Sequence, residues 1–470
     1  MGHSQEAVTH MVLCVLDMRE NVHYTLERLP SITRALANNN VTYLNIYNFE
    51  KEFGDYCGPD RVNQTFVDYL DANNIKTIFT SSEIFNFVSI DTITHLIGKG
   101  IVISSVLGDD ENNYHININY LGLLTIPVAY QKTEYRKYLT VNPNTYCLPI
   151  STSMYGTESI RNSVKTQDVI FIGKAYGIRP ELLNYLSKNG VNIVVYGGSD
   201  WGKHFDDDIY KGYIKNSDYY EQIAKSKITL ALLESPRNVE LLHVNAKPFD
   251  AAKTGTALIV TRYKTFFQDY GLEEKNDLYA YSCKEELLAS VKHLLKNNEA
   301  RELIATNLRR KIRSDYDYDD LYRDFFKTLL NQKSSMPEVK PARVFYASGK
   351  ERLLNCQIEK YDYIIFKKKG VVYSDSIKHV LAGHIPSNHF VKLDSYYKGK
   401  IARKVFDYID IASLAIPVNR LSEVKVFFGL VKVRKGSGSQ AFLPLNRYKT
   451  FNIYVSLLLV LRAMYQRFNR

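Results

Sequence analysis

Short apolar runs alternate with helix-like segments along the first part of the chain. The runs "MVLCVLD", "VTYLNIY", "KTIFTS" and "GIVISSVLG" lie within residues 1–150, and stretches such as "TLERLPSITRALANN" and "VNQTFVDYLDANN" separate them. Pro30 should weaken the first turn of the first of these helices. Apolar strands that alternate with helices are typical of parallel βαβ units. The pattern therefore predicts an α/β domain built on a doubly wound parallel sheet.

A second series of the same kind begins near residue 168. Strand-like "DVIFIG", "VNIVVYGG", "KITLALLE" and "TALIVT" alternate with helix-like "RPELLNYLSKNG", "SDYYEQIAKS" and "NAKPFDAAKTG", and three more helices follow. Two such domains form a cleft between the carboxyl ends of their strands, where ligands of open α/β sheets bind. We predict one Rossmann-like domain over residues 1–155, a second over 156–332, and a linker with a basic C-terminal extension over 333–470.

Composition narrows the setting in which such a chain works. The 470 residues are too many for one ordinary core, and the net charge of +11 favours polyanions, acidic membranes or phosphorylated ligands. The five cysteines are scattered without a CxxC pair, which indicates a reducing compartment and neither a disulfide framework nor a zinc site. The start is polar, without the apolar segment of a signal peptide, and no apolar run is long enough to span a membrane. We expect a cytoplasmic protein, with peripheral contact to the inner membrane face left open.

The stretch "NAKPFDAAKTGTALIVT" (residues 245–261) brings a cation and a carboxylate close together just before a buried strand. The N-terminus of a helix has unpaired N–H groups and the positive end of the helix dipole, so it binds phosphate, and Lys247 adds a cation. Asp250 could accept hydrogen bonds from a ribose diol, and Gly255 would let the helix close against the strand. The alternative is a capped helix with a surface Lys and Asp. This segment alone does not decide between them.

Five other segments supply the context. They are "VISSVLGDDENNYH", "YCLPIST", "DVIFIGKAYGIRPELLNYL", "VVYGGSDWGK" and "YEQIAKSKITLAL". Their order and spacing, with the 245–261 stretch, resemble the GT-B glycosyltransferases, most closely the CgeB-like (spore maturation protein-type) branch with the glycosyl transferases group 1 signature. The matching pieces lie between residues 102 and 261, and the two-domain layout extends the likeness to about residue 332.

The resemblance implies a fold, a donor and a site. The fold would be GT-B, with two Rossmann-like domains facing a cleft, and the donor a nucleotide-diphosphate sugar, with no further cofactor. The implied donor-binding residues are Gly173, Arg179, Gly197, Asn245, Lys247, Asp250 and Gly255. For Arg179 a solvated position at a helix start is the competing interpretation, and we expect that one.

Three positions depart from the pattern of the family. The usual Arg is Lys247 and the usual Glu is Asp250, so both charges are kept. Lys lacks the bidentate fork of Arg and would hold a diphosphate as a point charge. Many retaining relatives carry a second Glu eight residues before the carboxylate, where this chain has Leu242. Whether the sugar keeps its anomeric configuration is therefore open.

An acidic pair offers a base for the acceptor hydroxyl. Asp109 and Asp110 follow the strand "VISSVL" in a loop that should face the cleft from the acceptor side, and His115 is a second candidate. A desolvated carboxylate has a raised pKa and can take the hydroxyl's proton. The alternatives are a solvated acidic turn, since "GDDENN" is also good turn chemistry, and a loop histidine with a structural partner.

No pattern in the sequence indicates a metal site. The acidic runs "DDD" (206–208) and "DYDYDD" (315–320) are expected to be solvated, the second because Asp is favoured at a helix start. His379, His384 and His389 recur every five residues, a spacing that does not place them on one helix face. We expect a reaction that needs no metal.

The C-terminal segment "TFNIYVSLLLVLRAMYQRFNR" has an imperfect amphipathic helical pattern with several arginines. Such a helix could lie on an anionic membrane surface. Docking of the helix on the body of the protein is the alternative that we favour, because globular proteins use the same pattern.

These observations predict a metal-independent GT-B glycosyltransferase. It would transfer a sugar from a nucleotide-diphosphate donor to a hydroxyl of a glycan, a lipid-linked glycan or another large acceptor. Two alternatives remain: a DNA glycosyltransferase acting on a modified base, which the basic charge permits but no nucleic-acid motif supports, and a non-catalytic binding protein that keeps the fold.

Overall fold

The computed structural model describes most of the chain up to residue 332 and only short strands beyond it. The described ranges are 10–15, 28–39, 41, 43–48, 59–86, 88–108, 117–118, 120–234 and 242–332, with seven strands between residues 344 and 433. Contacts divide the chain into two units. The first comprises residues 1–117, 124–139 and 144–335, and the second comprises 118–123, 140–143 and 336–470.

Six parallel strands form the first sheet, which belongs to the first unit. The strands are β1 (His10–Val15), β2 (Tyr43–Asn48), β3 (Thr77–Ser81), β4 (Val102–Leu107), β5 (Ile126–Ala129) and β6 (Tyr146–Cys147), in the order β2-β1-β3-β4-β5-β6. The helices between them are α1 (Leu29–Asn38), α2 (Pro59–Ala72), α3 (Ile90–Gly98) and α4 (Lys132–Leu139). The predicted parallel sheet is therefore observed.

The centre of this sheet is closed to water on both faces. Every residue of β4 and β5 is buried, as expected of parallel strands covered by helices. Ser104, in β4, satisfies its buried hydroxyl by donating to the carbonyl of Ile126 at 2.7 Å. Pro30 lies in the first turn of α1, where a helix tolerates proline because that N–H has no partner within the helix. Its position begins the helix rather than weakening it.

Five parallel strands form a second sheet in the same unit. They are β7 (Gln167–Ile172), β8 (Ile193–Tyr196), β9 (Ser226–Ala231), β10 (Ala257–Thr261) and β11 (Tyr279–Tyr281), in the order β11-β10-β9-β7-β8. The helices are α5 (Glu158–Arg161), α6 (Arg179–Lys188), α7 (Tyr219–Ala224), α8 (Lys247–Thr254), α9 (Lys264–Tyr270), α10 (Lys284–Lys296), α11 (Asn298–Asp315) and α12 (Tyr318–Leu330). The predicted boundary at residue 155 falls between β6 and β7, and the division into domains stays a prediction.

The last helix, α12, returns to the first sheet. The rings of Phe325 and Phe326 lie 5.1 and 5.4 Å from that of Phe79 in β3. Asp319 accepts two hydrogen bonds from the guanidinium of Arg34 on α1, each at 2.7 Å, and one from Ser31 at 2.6 Å. This crossing joins the two sheets through one helix.

The second unit contains two small sheets within its described residues. Strands β12 (Val344–Ala347), β13 (Tyr363–Phe366), β14 (Val391–Lys392) and β16 (Leu414–Pro417) form one, in the order β12-β13-β16-β14, and β15 (Ile409–Asp410), β17 (Val424–Phe427) and β18 (Leu430–Val433) form the other, in the order β15-β18-β17. The predicted C-terminal helix lies outside the described residues. In the part of the chain that is described, no helix is long and apolar enough to cross a bilayer.

Candidate functional site

The loops that follow β7 and β8 touch each other at the carboxyl edge of the second sheet. A Cβ on Gly197 would lie 2.0 Å from the carbonyl oxygen of Gly173, so only glycine fits at position 197. The indole N–H of Trp201 donates to the same carbonyl at 2.7 Å. Both predicted glycines thus serve the close approach of two backbones at this edge. Contact of either with a donor remains a prediction.

Arg179 is buried at this edge, which corrects the expectation of a solvated arginine at a helix start. The residue is 5% exposed. Its Nη2 donates to the carbonyl of Leu232 at 2.7 Å, and its guanidinium lies 3.7 Å from the ring centre of Tyr176. Burial lowers the pKa of Arg179, but a guanidinium stays protonated at neutral pH. The residue is therefore a largely dehydrated cation, next to Gly173.

The first turn of α8 binds its own N–H groups, contrary to the expectation of free donors for phosphate. The side-chain oxygen of Asn245 accepts the N–H of Lys247 at 3.1 Å, and Pro248 has no N–H. The N–H groups of Phe249 and Asp250 both donate to the carbonyl of Ala246 at 3.0 Å. At residues 247–250 the helix can therefore offer its dipole to an anion, but no unbonded backbone donor.

Neither Lys247 nor Asp250 is a surface residue. Their side chains are 19% and 2% exposed, and Nζ lies 3.7 Å from Oδ2. The hydroxyl of Tyr219 donates to that Oδ2 at 2.7 Å and accepts a hydrogen bond from Lys247, whose Nζ also lies 4.7 Å from the centre of the Tyr219 ring. Burial lowers the pKa of Lys247, and the charge of Arg179 acts in the same direction while Asp250 opposes it. The interpretation as a capped helix with a surface Lys and Asp is wrong for both side chains.

The carbonyl of Leu232 connects the side chain of Arg179 to the start of α8. The oxygen of Leu232, just past β9, accepts Nη2 of Arg179 and, at 3.4 Å, the amide of Asn245, the residue that also holds the N–H of Lys247. Arg179, Asn245 and Lys247 therefore converge from two helix starts on the end of one strand. The sequence proposed all three, and the structure brings them together.

A buried polar cluster behind these residues was not predicted. Glu234, 3% exposed, accepts a hydrogen bond from Thr261 at 3.0 Å and one from Tyr281 at 3.4 Å. Tyr219 was missed as well. For Glu234 the sequence did offer a signal, because a glutamate directly ends the apolar strand "KITLALLE" and charged residues are almost never fully buried without a partner.

Gly255 lies at the opposite end of α8 from Lys247. It ends the helix in the left-handed conformation, with φ of 63°, and a Cβ there would lie 3.1 Å from Cγ of Arg161. The structure thus gives Gly255 a conformational role, as a C-cap. The predicted role of this glycine in donor binding is not supported by its position.

The predicted base candidates, Asp109, Asp110 and His115, lie outside the described residues, as do His379, His384 and His389. The residue before the acidic pair, Gly108, is described: a Cβ there would lie 3.0 Å from the ring of Tyr130. The roles of the three base candidates stay predictions.

The acidic runs behave differently from each other. Asp206, Asp207 and Asp208 are exposed, as expected. The second run is not simply solvated, because Asp317 caps α12 and accepts the N–H of Met154 at 3.3 Å, while Asp319 binds Arg34. Within the described ranges, no cluster of three or more His, Cys, Asp or Glu side chains could hold a metal ion.

Comparison with known proteins relates this architecture to glycosyltransferases. Residues 179–327, which contain Arg179 and all of α8, match the family described as glycosyl transferase-like. No curated protein sequence matches the chain.

Solved structures resemble it at the level of the fold. Sucrose-phosphate synthase from Thermosynechococcus elongatus aligns with a TM-score of 0.50 at 10% identity, covering 68% of this chain and 98% of that one. A glycosyltransferase from Rickettsia africae gives 0.50 at 10% identity (70% and 100% covered), and Anabaena HepE in complex with UDP and glucose gives 0.50 at 9% identity (69% and 100%). The chain has the α/β fold of the GT-B glycosyltransferases.

Proposed function

We propose that this protein is a glycosyltransferase that transfers a sugar from a nucleotide-diphosphate donor to a hydroxyl of a glycan, a lipid-linked glycan or another large acceptor. The observation that carries the proposal is a pair of cations at the carboxyl edge of the second sheet, the buried Arg179 and the partly buried Lys247. Arg179 donates to the carbonyl of Leu232, and Asn245, which donates to the same carbonyl, accepts the backbone N–H of Lys247. Ligands of open α/β sheets bind at such edges.

The chemistry of the transfer suits this arrangement. Breaking the bond between the sugar and the diphosphate builds negative charge on the leaving group, and cations fixed in a water-poor site stabilise that charge with little reorganisation. The dipole of α8 adds a positive potential at its start, beside Lys247. Arg179, Lys247 and the helix together supply the positive charge that a divalent metal provides elsewhere, so we propose a metal-independent reaction.

The likeness to sugar-nucleotide enzymes supports the choice of donor. Anabaena HepE has been crystallised with UDP-glucose as well as with UDP and glucose. Its likeness to this chain extends to the fold only. The base and the sugar used by this chain are for a ligand screen to identify. We further propose a CgeB-like specialisation within the fold, on the basis of the sequence motifs.

The acceptor side needs a base. We propose that Asp109 or Asp110 takes the proton of the acceptor hydroxyl, with His115 as the next candidate, because all three follow β4 in the sequence and ligands of open α/β sheets bind beyond the carboxyl ends of the strands. Replacing the base by Asn should lower turnover by about 10²–10⁴-fold with little change in donor affinity. Near-normal turnover in both single Asn variants would move the role to His115.

Donor binding tests the proposal most directly. A thermal-shift screen of nucleoside diphosphates and their sugars should give one strong ligand, since a ligand at 100 times its dissociation constant adds about 2.7 kcal/mol to stability. Lys247→Ala should then weaken its binding by tenfold or more in a calorimetric titration, by about 1.4 kcal/mol or more. Lys227→Ala is the matched control, because Lys227 is also a partly buried, ion-paired lysine but is the second residue of β9, at the amino ends of the parallel strands.

Two results would contradict the proposal. Unchanged affinity in Lys247→Ala would remove Lys247 from the diphosphate site. Loss of transfer in EDTA that manganese restores would show that the leaving group depends on a metal.

A further inference from the structure

Glu234 lies just past β9, two residues beyond Leu232, the residue whose carbonyl holds Arg179. Both of its hydrogen bonds reach Oε1: the hydroxyl of Thr261 donates at 3.0 Å and that of Tyr281 at 3.4 Å. Burial raises the pKa of Tyr281, and the charge of Glu234 raises it further, so the hydroxyl keeps its proton and donates. The Tyr281 hydroxyl also lies 3.0 Å from that of Thr261, so its single proton is shared between Thr261 and Oε1.

Two buried atoms beside this cluster have no hydrogen-bond partner among the described residues. They are Oε2 of Glu234 and Nε of Arg179, and their residues are 3% and 5% exposed. A chain of hydrogen bonds connects the two residues. Arg179 donates to the carbonyl of Leu232, and the N–H of the following residue, Leu233, donates to the hydroxyl of Thr261 at 3.1 Å. Thr261 in turn donates to Glu234. The charge of Glu234 acts on Arg179 across this distance. An acid and a base are thus buried near each other without a direct ion pair.

The site therefore contains two cations and two carboxylates. Asp250 lies 3.7 Å from Lys247 and forms its ion pair, whereas Glu234 balances Arg179 from further away. A buried charge without compensation is strongly unfavourable, so each carboxylate makes a buried cation tolerable. Each also reduces the positive potential that a diphosphate meets at this edge.

We propose that Glu234 is a positioning residue, a buried counter-charge to Arg179 that limits how tightly the site holds the nucleoside diphosphate product and so allows its release. The inference rests on the proposed glycosyltransferase function and adds a residue that acts through Arg179. Product release limits turnover in many enzymes, and a leaving group held by two dehydrated cations would dissociate slowly.

The isosteric variant Glu234→Gln tests the sign of this effect. Removing one buried negative charge beside the site should strengthen binding of a diphosphate about tenfold. Calorimetric titration with inorganic pyrophosphate measures it without any contribution from the base or sugar. In the transfer reaction, KM for the donor and kcat should fall together. Glu234→Asp, which keeps the charge, should bind pyrophosphate within about twofold of the wild-type protein.

The control is Glu158→Gln. Glu158 is an exposed glutamate that pairs with Arg309 and Arg313 near the C-terminal end of α8, so its loss should leave pyrophosphate affinity unchanged. A purely structural role for Glu234 would lower thermal stability in Glu234→Gln without strengthening binding. Unchanged or weaker pyrophosphate affinity in Glu234→Gln would overturn the inference. If Lys247→Ala weakens pyrophosphate binding while Glu234→Gln leaves it unchanged, the proposed function stands and this inference fails.

A double variant keeps the test valid if Glu234→Gln does not fold. Arg179→Met leaves Glu234 buried without compensation, so Arg179→Met/Glu234→Gln should be more stable than Arg179→Met alone. Recovery of the midpoint of thermal unfolding in the double variant supports the pairing of Glu234 with Arg179. A double variant less stable than Arg179→Met shows that the two charges are not coupled and overturns the inference.

Discussion

The two ends of α8 both have buried cations close by, but the electrostatics are opposite. At the C-terminal end, Nζ of Lys165 donates to the carbonyls of Ala224 and Gly255 at 2.8 and 3.5 Å, and Arg309 donates to that of Lys253 at 2.8 Å. Cations at this end complement the helix dipole and satisfy carbonyls that have no partner within the helix. Here both side chains stabilise the fold as hydrogen-bond donors to carbonyls.

At the N-terminal end, Lys247 opposes the dipole of its own helix. The N–H groups of the first turn already have partners, and an ammonium is itself a donor, so Lys247 satisfies no N–H of this helix end. Burial also lowers the pKa of Lys247. Such an arrangement is retained at a cost in stability. The comparison teaches that a partly buried cation beside the positive end of a helix, where the dipole disfavours it, indicates a ligand site.

Among these variants Arg309→Met should lower the free energy of unfolding most, without an effect on ligand binding. Arg309 is 6% exposed at its side chain and also donates to Thr157 at 2.7 Å and to Glu158 at 3.0 Å. Arg309→Met leaves the buried carbonyl of Lys253 and the buried hydroxyl of Thr157 without this donor, which costs about 3 kcal/mol in total, and denaturant unfolding should show this loss. Arg313→Met is the control, because Arg313 is 61% exposed and shares Glu158, and it should cost less than about 0.5 kcal/mol. Equal losses in the two variants would contradict the assigned role.

Gly255→Ala should have the next largest effect and lower the free energy of unfolding by about 1–2 kcal/mol. The residue has φ of 63°, in the left-handed region that L-residues enter only at this order of cost. Gly190 also has a positive φ, of 80°, but within the described structure no atom lies within 4 Å of a Cβ placed there. Gly190→Ala therefore isolates the backbone cost, and any further loss in Gly255→Ala measures the contact with Arg161. A smaller loss at position 255 than at 190 would be the contrary result.

Lys165 should make stability depend on alkaline pH. Burial lowers its pKa from 10.5 to about 8, so between these values the unfolded chain binds the proton more tightly than the folded protein. The stability contributed by this group is therefore full above pH 10.5 and is lost as the pH falls towards 8. From pH 8 to pH 10 the wild-type protein should gain about 2 kcal/mol relative to Lys165→Met in denaturant unfolding. Parallel pH profiles would show that Lys165 titrates normally.

Lys247→Met should have the smallest effect on stability, about 1 kcal/mol. The variant leaves the buried Asp250 without its cation, but Tyr219 still donates to Asp250, and relief from the dipole and from the desolvation of the ammonium offsets part of the loss. Thermal unfolding without ligand measures it. A loss as large as that of Arg309→Met would mean that both ends of α8 use their cations for stability, and the contrast between them would disappear.

Periodicity and turn residues were sufficient to predict both sheets. The apolar runs at 102–107 and 257–261 are buried strands, and α8 ends at Gly255 as glycine C-caps predict. These features depend on neighbours in the sequence. The small sheets beyond residue 340 were missed, because short strands without a regular helix between them leave no clear period.

The site was predictable only in part. The local motif pointed to Asn245, Lys247 and Asp250, whose geometry follows from one helix start. Local pattern could not reveal that Arg179 is buried, that Tyr219 lies between Lys247 and Asp250, or that Glu234 meets Thr261 and Tyr281. Those contacts join residues far apart in the chain, and their burial depends on how strands and helices pack.

The return of α12 to the first sheet has a consequence for the order in which the chain folds on the ribosome. Phe79 and its neighbours in β3 are translated early. Phe325 and Phe326, which cover them, are translated only after all strands of the second sheet. At about 5–20 residues per second, the nascent first half waits on the order of ten seconds or more for this helix. During that interval the surface around Phe79 that α12 later covers is open to other chains. High expression rates should therefore favour aggregation of incompletely synthesised chains. Slow translation or chaperone capacity therefore matters more here than for a chain whose halves close independently.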